Sequence, residues 1–183
     1  MGKLGFIGLG SQGAPMARRM IDAGLDVVLW ARRPQTLEEF GDTPALIADS
    51  VEALAAQVDY CALCVVDDAG VTQVCDAMIP DMRAGALIVI HSTVNPELCR
   101  KLAGRAREKG IELLDAPVSG GGPAAAEGRL TVMVGGAADA EARARPVVET
   151  FARTIVHRGD VGAGQTTKLV NNTLMAANLA VAH

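Results

Sequence analysis

A short apolar run, Leu4 to Ile7, breaks into Gly8-Leu9-Gly10-Ser11-Gln12-Gly13, and Ala14-Pro15-Met16-Ala17-Arg18-Arg19-Met20 follows at helical spacing. No other feature narrows the fold as far. A strand that turns through G-x-G-x-x-G into a helix uses each glycine for its own reason. Gly8 permits the tight turn, Gly10 lets a pyrophosphate approach the backbone, and Gly13 lets the helix pack against the strand. The helix N-terminus adds unpaired N–H groups and the positive end of a dipole. Pro15 in the first helical turn costs no intrahelical bond. Gly8, Leu9, Gly10, Ser11, Gln12 and Gly13 are therefore expected to form a dinucleotide-phosphate site.

The rest of the chain keeps that grammar, with short apolar runs alternating with longer helical patterns. Strands are predicted near 3–8, 26–31, 60–66, 85–90, 111–115, 130–134 and 153–157, with a weaker one at 45–48. Helices are predicted near 13–23, 35–40, 50–57, 69–78, 96–109, 138–151 and 163–183. Asp49 or Ser50 suits the N-cap of the third helix, and Asn95 caps the helix opened by Pro96. The expected fold is α/β, a Rossmann-type doubly wound, mainly parallel sheet with a hairpin-like or mixed edge, ending in a long helix. A chain of 183 residues, half of them hydrophobic, holds one well-buried domain or one domain plus part of another. From Thr167 onward the pattern is helical, apolar and alanine-rich, with no glycine or proline stop. The expected organisation is a dinucleotide-binding domain over 1–162. Residues 163–183 then begin an interdomain helix whose all-α C-terminal domain is missing.

Charge and cysteine usage remove several classes. Net charge is −4 with no basic block, which argues against nucleic acid and anionic membranes as partners. The first twenty residues do not read as a signal peptide, and no apolar run nears the roughly 20 residues that span a bilayer. A cytoplasmic location is expected. Cys61 and Cys64 form a C-x-x-C, but within an apolar strand, where residues three apart point to opposite faces. With no second C-x-x-C and no His cluster to complete a zinc site, the four cysteines read as small buried hydrophobes and no metal is expected.

Three clusters carry chemistry. The second strand ends in Ala31-Arg32-Arg33-Pro34, where an NAD site usually places an acid for the ribose 2′-hydroxyl. Two arginines suit a 2′-phosphate, and so NADP rather than NAD, although they also read as solvated loop residues. Lys168 and Asn172 share a helix face at i and i+4, behind the glycine-rich entry Gly162-Ala-Gly-Gln165. An ammonium beside an amide can polarise a carbonyl oxygen; spacing alone favours a solvated surface pair, while Asn171 and Asn172, poor helix formers in an otherwise apolar helix, point toward function. Asp115-Ala-Pro-Val-Ser119-Gly120-Gly121-Gly122 follows a predicted strand. Its successive glycines expose N–H groups to a carboxylate or phosphate, or form only a flexible turn. His91-Ser92-Thr93 also ends a strand, the edge where open α/β sheets bind ligands; His91 alone receives no role.

Together these motifs resemble the β-hydroxyacid dehydrogenase family, which includes 3-hydroxyisobutyrate dehydrogenases, tartronate semialdehyde reductases and glyoxylate or succinic semialdehyde reductases. The matching stretches are Phe6 to Ala17, Ser92 to Pro96, Asp115 to Gly121 and Gly162 to Asn172. The resemblance implies hydride transfer between NADP(H) and a small β-hydroxyacid or its semialdehyde. It implies Lys168 as the catalytic lysine and Asn172 as a substrate ligand. Ser119, Gly120 and Gly121 would hold a substrate carboxylate, with Thr93 near the nicotinamide. It also implies a homo-oligomer at full length. Gln12, Arg19, Ala31 with Arg33, and Pro123 depart from the family pattern. An imine reductase and a non-catalytic NADP-binding module share the architecture; Lys168 argues against both.

Overall fold

The computed structural model describes residues 2–182. Six parallel strands make the main sheet: β1 (Leu4–Ile7), β2 (Val27–Trp30), β3 (Leu46–Ile47), β4 (Tyr60–Leu63), β5 (Leu87–Ile90) and β6 (Glu112–Asp115). Their order is β3-β2-β1-β4-β5-β6. The winding reverses between β1 and β4, which opens a crevice at the carboxyl ends of those two strands.

Both faces of the sheet are covered, so its strands read as continuous apolar runs rather than alternating ones. One face carries Leu4, Phe6 and Leu29, packed with Met16 and Met20 of α1 (Gly13–Asp22) and Val147 of α6 (Ala138–Val148). The other carries Ile7, Val28 and Leu63. They pack with Leu54 of α2 (Val51–Ala55), Met78 of α3 (Asp68–Met78) and Cys99 of α4 (Pro96–Arg107). Cys61 belongs to the second face while Cys64 packs against the first, as a spacing of three on extended chain requires. Burial pushes the Cys64 thiol up to about 11 and the Cys75 thiol to about 12. Among the described residues all four thiols are free.

Local signals account for several element starts. Ser50 is the cap of α2, its hydroxyl accepting from the Ala53 N–H at 3.1 Å. Asn95 caps α4 by accepting from the Glu97 N–H at 2.8 Å. The helix expected at 35–40 is instead a 3-10 stretch, Pro34–Phe40, too short and too sharply bounded by Pro34 and Gly41 to settle into α geometry.

The larger correction concerns the edge. A second, three-stranded sheet, β7 (Val118–Ser119), β8 (Leu130–Val134) and β9 (Ala152–His157), stands apart from the main one. β7 runs antiparallel to β8, and β9 runs parallel to it. The two sheets meet at an antiparallel bridge between Asp115 and Gly135. The glycines after Ser119 are also not an open loop: Gly120 precedes a short helix, α5 (Gly121–Ala126), that begins on Gly121. A two-residue strand and a six-residue helix leave no periodicity to read.

The last helix, α7 (Ala163–Val181), buries only Gly164, Gln165 and Lys168 near its start. Leu169, Val170, Leu174, Met175, Leu179 and Val181 are exposed. Its expected end at 183 lies outside the described residues. Among those residues no helix is long and apolar enough to cross a membrane.

Candidate active site

The glycine turn opens the site. Gly8 adopts φ +104°, and a Cβ there would collide with the Cys64 carbonyl. A Cβ on Gly13 would collide with the carbonyl of Gly8, so α1 can close on the turn only with glycine at that position. Gly10 is exposed, and a Cβ there would meet nothing within 4 Å. Leu9 is buried and anchors the turn, while Ser11 faces solvent and Gln12 is half-buried. The N-terminus of α1 has no side-chain cap and no acid in its first turn. Pro15 has no N–H and that of Ala14 is bonded to the Gly10 carbonyl at 2.9 Å, so the dipole and the remaining N–H groups make this helix end a cradle suited to a pyrophosphate.

Arg32 and Arg33 follow β2, the strand next to β1, and both are exposed. Arg32 donates from Nη2 to Oε1 of Gln73 on α3 at 3.1 Å. Among the described residues neither arginine pairs with a carboxylate, and no hydrogen bond draws either one to the glycine turn. The Ser-Gly-Gly segment does reach that turn. A Cβ on Gly122 would lie 2.6 Å from the Ser11 carbonyl, so α5 presses directly on it. Ser119 is half-buried in β7 opposite Thr131, Gly120 is exposed at φ +133°, and Gly121 has φ +74°.

The lysine end is assembled by residues to which the sequence alone gave no role. Asp115, fully buried at the end of β6, accepts from the Gly162 N–H at 2.6 Å and the Gln165 N–H at 2.7 Å. It therefore caps α7 from a distant segment. Burial pushes its carboxyl above the ordinary aspartate value, while the two backbone N–H bonds pull the other way. Gly164 permits the approach, since a Cβ there would crowd the Met133 and Asp115 carbonyls. Gln165 donates from Nε2 to the Ser92 carbonyl at 2.7 Å, and its Oε1 accepts from the Val94 N–H at 3.1 Å. Ser92 in turn accepts from the Val65 N–H at 2.8 Å. Thr93, between them, is exposed.

Lys168 lies one turn beyond Gln165 and is 8% exposed. Among the described residues no carboxylate lies within ion-pair distance of it, and burial holds its ammonium below the usual lysine value. Asn172 shares its helix face and is half-buried. No hydrogen bond among the described residues joins Lys168 to Asn172, or either to Ser119. His91 is buried under the same edge, its Nδ1–H donating to the Ala116 carbonyl at 2.8 Å. One signal in the sequence pointed to a missing cap, though not to Asp115: the N-cap of α7 is Gly162, which has no side chain to cap with, so the cap had to come from elsewhere.

Turn, open helix end and topological switch define a Rossmann-type domain built for a dinucleotide. The family model for the NAD binding domain of 6-phosphogluconate dehydrogenase matches residues 3–159. The chain belongs to the β-hydroxyacid dehydrogenase family. It is 37% identical to a 3-hydroxyisobutyrate dehydrogenase of Pseudomonas aeruginosa, over 98% of this chain and 61% of the relative. An NAD-dependent L-serine dehydrogenase of the same organism is 38% identical, over 96% of this chain and 60% of the relative. The solved structure of a Mycobacterium tuberculosis 3-hydroxyisobutyrate dehydrogenase with L-serine superposes with a TM-score of 0.93 at 32% identity, covering 96% of this chain and 60% of that one. An imine reductase from Myxococcus stipitatus superposes at 0.92 with 22% identity, covering 100% and 63%, which shows a shared fold alone. The chain thus spans about three-fifths of the length of the relatives it matches.

Proposed function

We propose that this chain carries the cofactor-binding part of an oxidoreductase that interconverts a small β-hydroxyacid and its semialdehyde with NADP(H). The observation that carries the reading is Lys168, a largely buried side chain whose ammonium has no carboxylate partner among the described residues, one turn along α7 from the Gln165 that bonds the segment holding Thr93. The nicotinamide, when bound, supplies or accepts the hydride. Lys168 donates its proton to the carbonyl oxygen during reduction and stabilises the alkoxide in the reverse direction. Burial, by weakening the ammonium's hold on that proton, favours the donation. Asn172, Ser119, Gly120 and Gly121 would orient the substrate carboxylate, and Thr93 would contact the nicotinamide.

The turn of Gly8 to Gly13 holds the pyrophosphate, and Arg32 with Arg33 the 2′-phosphate. The preference for NADP rests on two exposed, carboxylate-free arginines where an NAD site would offer an acid. The domain over 1–162 then binds the dinucleotide. The helix α7 would pack its exposed apolar face against a second domain in a cytoplasmic homo-oligomer.

The test is a spectrophotometric screen of the full-length protein. NADPH and NADH oxidation are followed against glyoxylate, succinic semialdehyde, tartronate semialdehyde and a cyclic imine. Turnover of at least one semialdehyde or glyoxylate, faster with NADPH, is expected. Turnover of the imine alone would make the protein an imine reductase; NADPH binding without any turnover would make it a binding module.

A further inference from the structure

Gln165 has no exposed surface, and every polar group of its backbone N–H and side-chain amide is used. Its N–H belongs to the Asp115 cap. Its side chain grips the chain on either side of Thr93, donating to the Ser92 carbonyl just before it and accepting from the Val94 N–H just after it. An amide that pairs with one C=O and one N–H of a neighbouring segment acts as a strand partner would, fixing that segment's height and tilt. Filling the space needs no amide, since methionine has nearly the same volume. An amide buried there is tolerated only because both of its bonds are made. Lys168 stands at i+3 on the same helix, on the neighbouring surface.

We propose that Gln165 is a positioning residue that fixes the spacing between the Lys168 ammonium and the Thr93 segment. The inference rests on the reading of Lys168 given above. Gln165 touches neither reactant. It sets where the proton donor stands relative to the backbone on which the reacting ring would rest. A displacement of about 1 Å between such groups costs about 100-fold in rate.

The test is a double-mutant cycle on the full-length protein with Gln165→Met and Lys168→Ala. Turnover of NADPH with glyoxylate, succinic semialdehyde or tartronate semialdehyde is the readout. Gln165→Met is expected to lower kcat by about 10- to 100-fold in the parent and by less than about twofold in the Lys168→Ala background, because it acts through the lysine. NADPH affinity, read by its fluorescence, stays within about threefold. Hydrogen exchange over residues 92–95 rises in Gln165→Met and not in Lys168→Ala, a readout that needs no substrate. Gln165→Glu keeps the acceptor for Val94 and, when ionised, loses the donor to Ser92, so it shows the same pattern at a pH high enough to ionise the carboxyl.

Equal losses in both backgrounds, or unchanged kcat in both glutamine variants, would overturn the proposal. Loss of the fold in both would do so too, since Gln165 would then be a packing requirement. An unchanged kcat in Lys168→Ala alone would instead bring down the reading of the lysine on which this one rests.

Discussion

Gly10 and Gly13 stand three residues apart, and a methyl group on each should have opposite consequences. At Gly13 it would strike the Gly8 carbonyl; at Gly10 it would enter open space. Gly13→Ala is expected to destabilise the fold by about 3 kcal/mol in urea unfolding, since backbone must shift to admit it. Gly10→Ala should leave stability within about 0.5 kcal/mol and weaken NADPH binding by at least about tenfold, which is about 1.4 kcal/mol. His91 gives a pH test. Its Nδ1–H is bonded to the Ala116 carbonyl, its buried Nε2 has no partner among the described residues, and burial lowers its pKa from 6.5 to about 4. The unfolded chain therefore binds this proton more readily. The stabilisation is complete above pH 6.5 and is lost as pH falls toward 4, amounting to about 3 kcal/mol. His91→Gln should flatten the acid limb of stability between pH 7 and 4.5 by about 2–3 kcal/mol. Asp115, with its pKa shifted upward, contributes in the opposite sense, and comparing the two proteins removes it.

At the scale of elements, α7 is held at its start by a carboxylate from β6 rather than by its own sequence. Asp115→Asn keeps one acceptor oxygen but turns an NH2 toward an N–H, and should cost about 1–3 kcal/mol by thermal or urea unfolding. The same element shows where reading the sequence stops. The glycine spacing after β1, the apolar runs of β4 and β5, and the Ser50 and Asn95 caps are local signals, and each was legible. Lys168 and Asn172 were legible as a face because helical periodicity is local too. The bonds of Asp115 to Gly162 and Gln165, and of Gln165 to Ser92, join residues far apart in the chain. No periodicity reports such pairings. The β7–α5 unit was missed for the opposite reason, being too short to show a period.

At the scale of the molecule, the six-stranded sheet is covered on both faces, while the outer length of α7 is bare and apolar. Leu174 and Leu179 are 60% and 55% exposed. Contiguous apolar surface of this kind marks a site of contact. The 183-residue chain should therefore bind a hydrophobic dye such as ANS, and Leu174→Glu with Leu179→Glu should reduce that fluorescence while leaving NADPH affinity unchanged. Loss of NADPH binding in that variant would show instead that α7 supports the dinucleotide site itself.

The proposed function makes Lys168 the group that turns a dinucleotide-binding domain into half of an active site. Lys168→Ala in the full-length protein tests it most directly, with kcat for semialdehyde reduction and NADPH affinity measured side by side. The expected result is a kcat lower by about 100-fold or more, with NADPH affinity within about threefold of the parent. Undiminished turnover in that variant would contradict it.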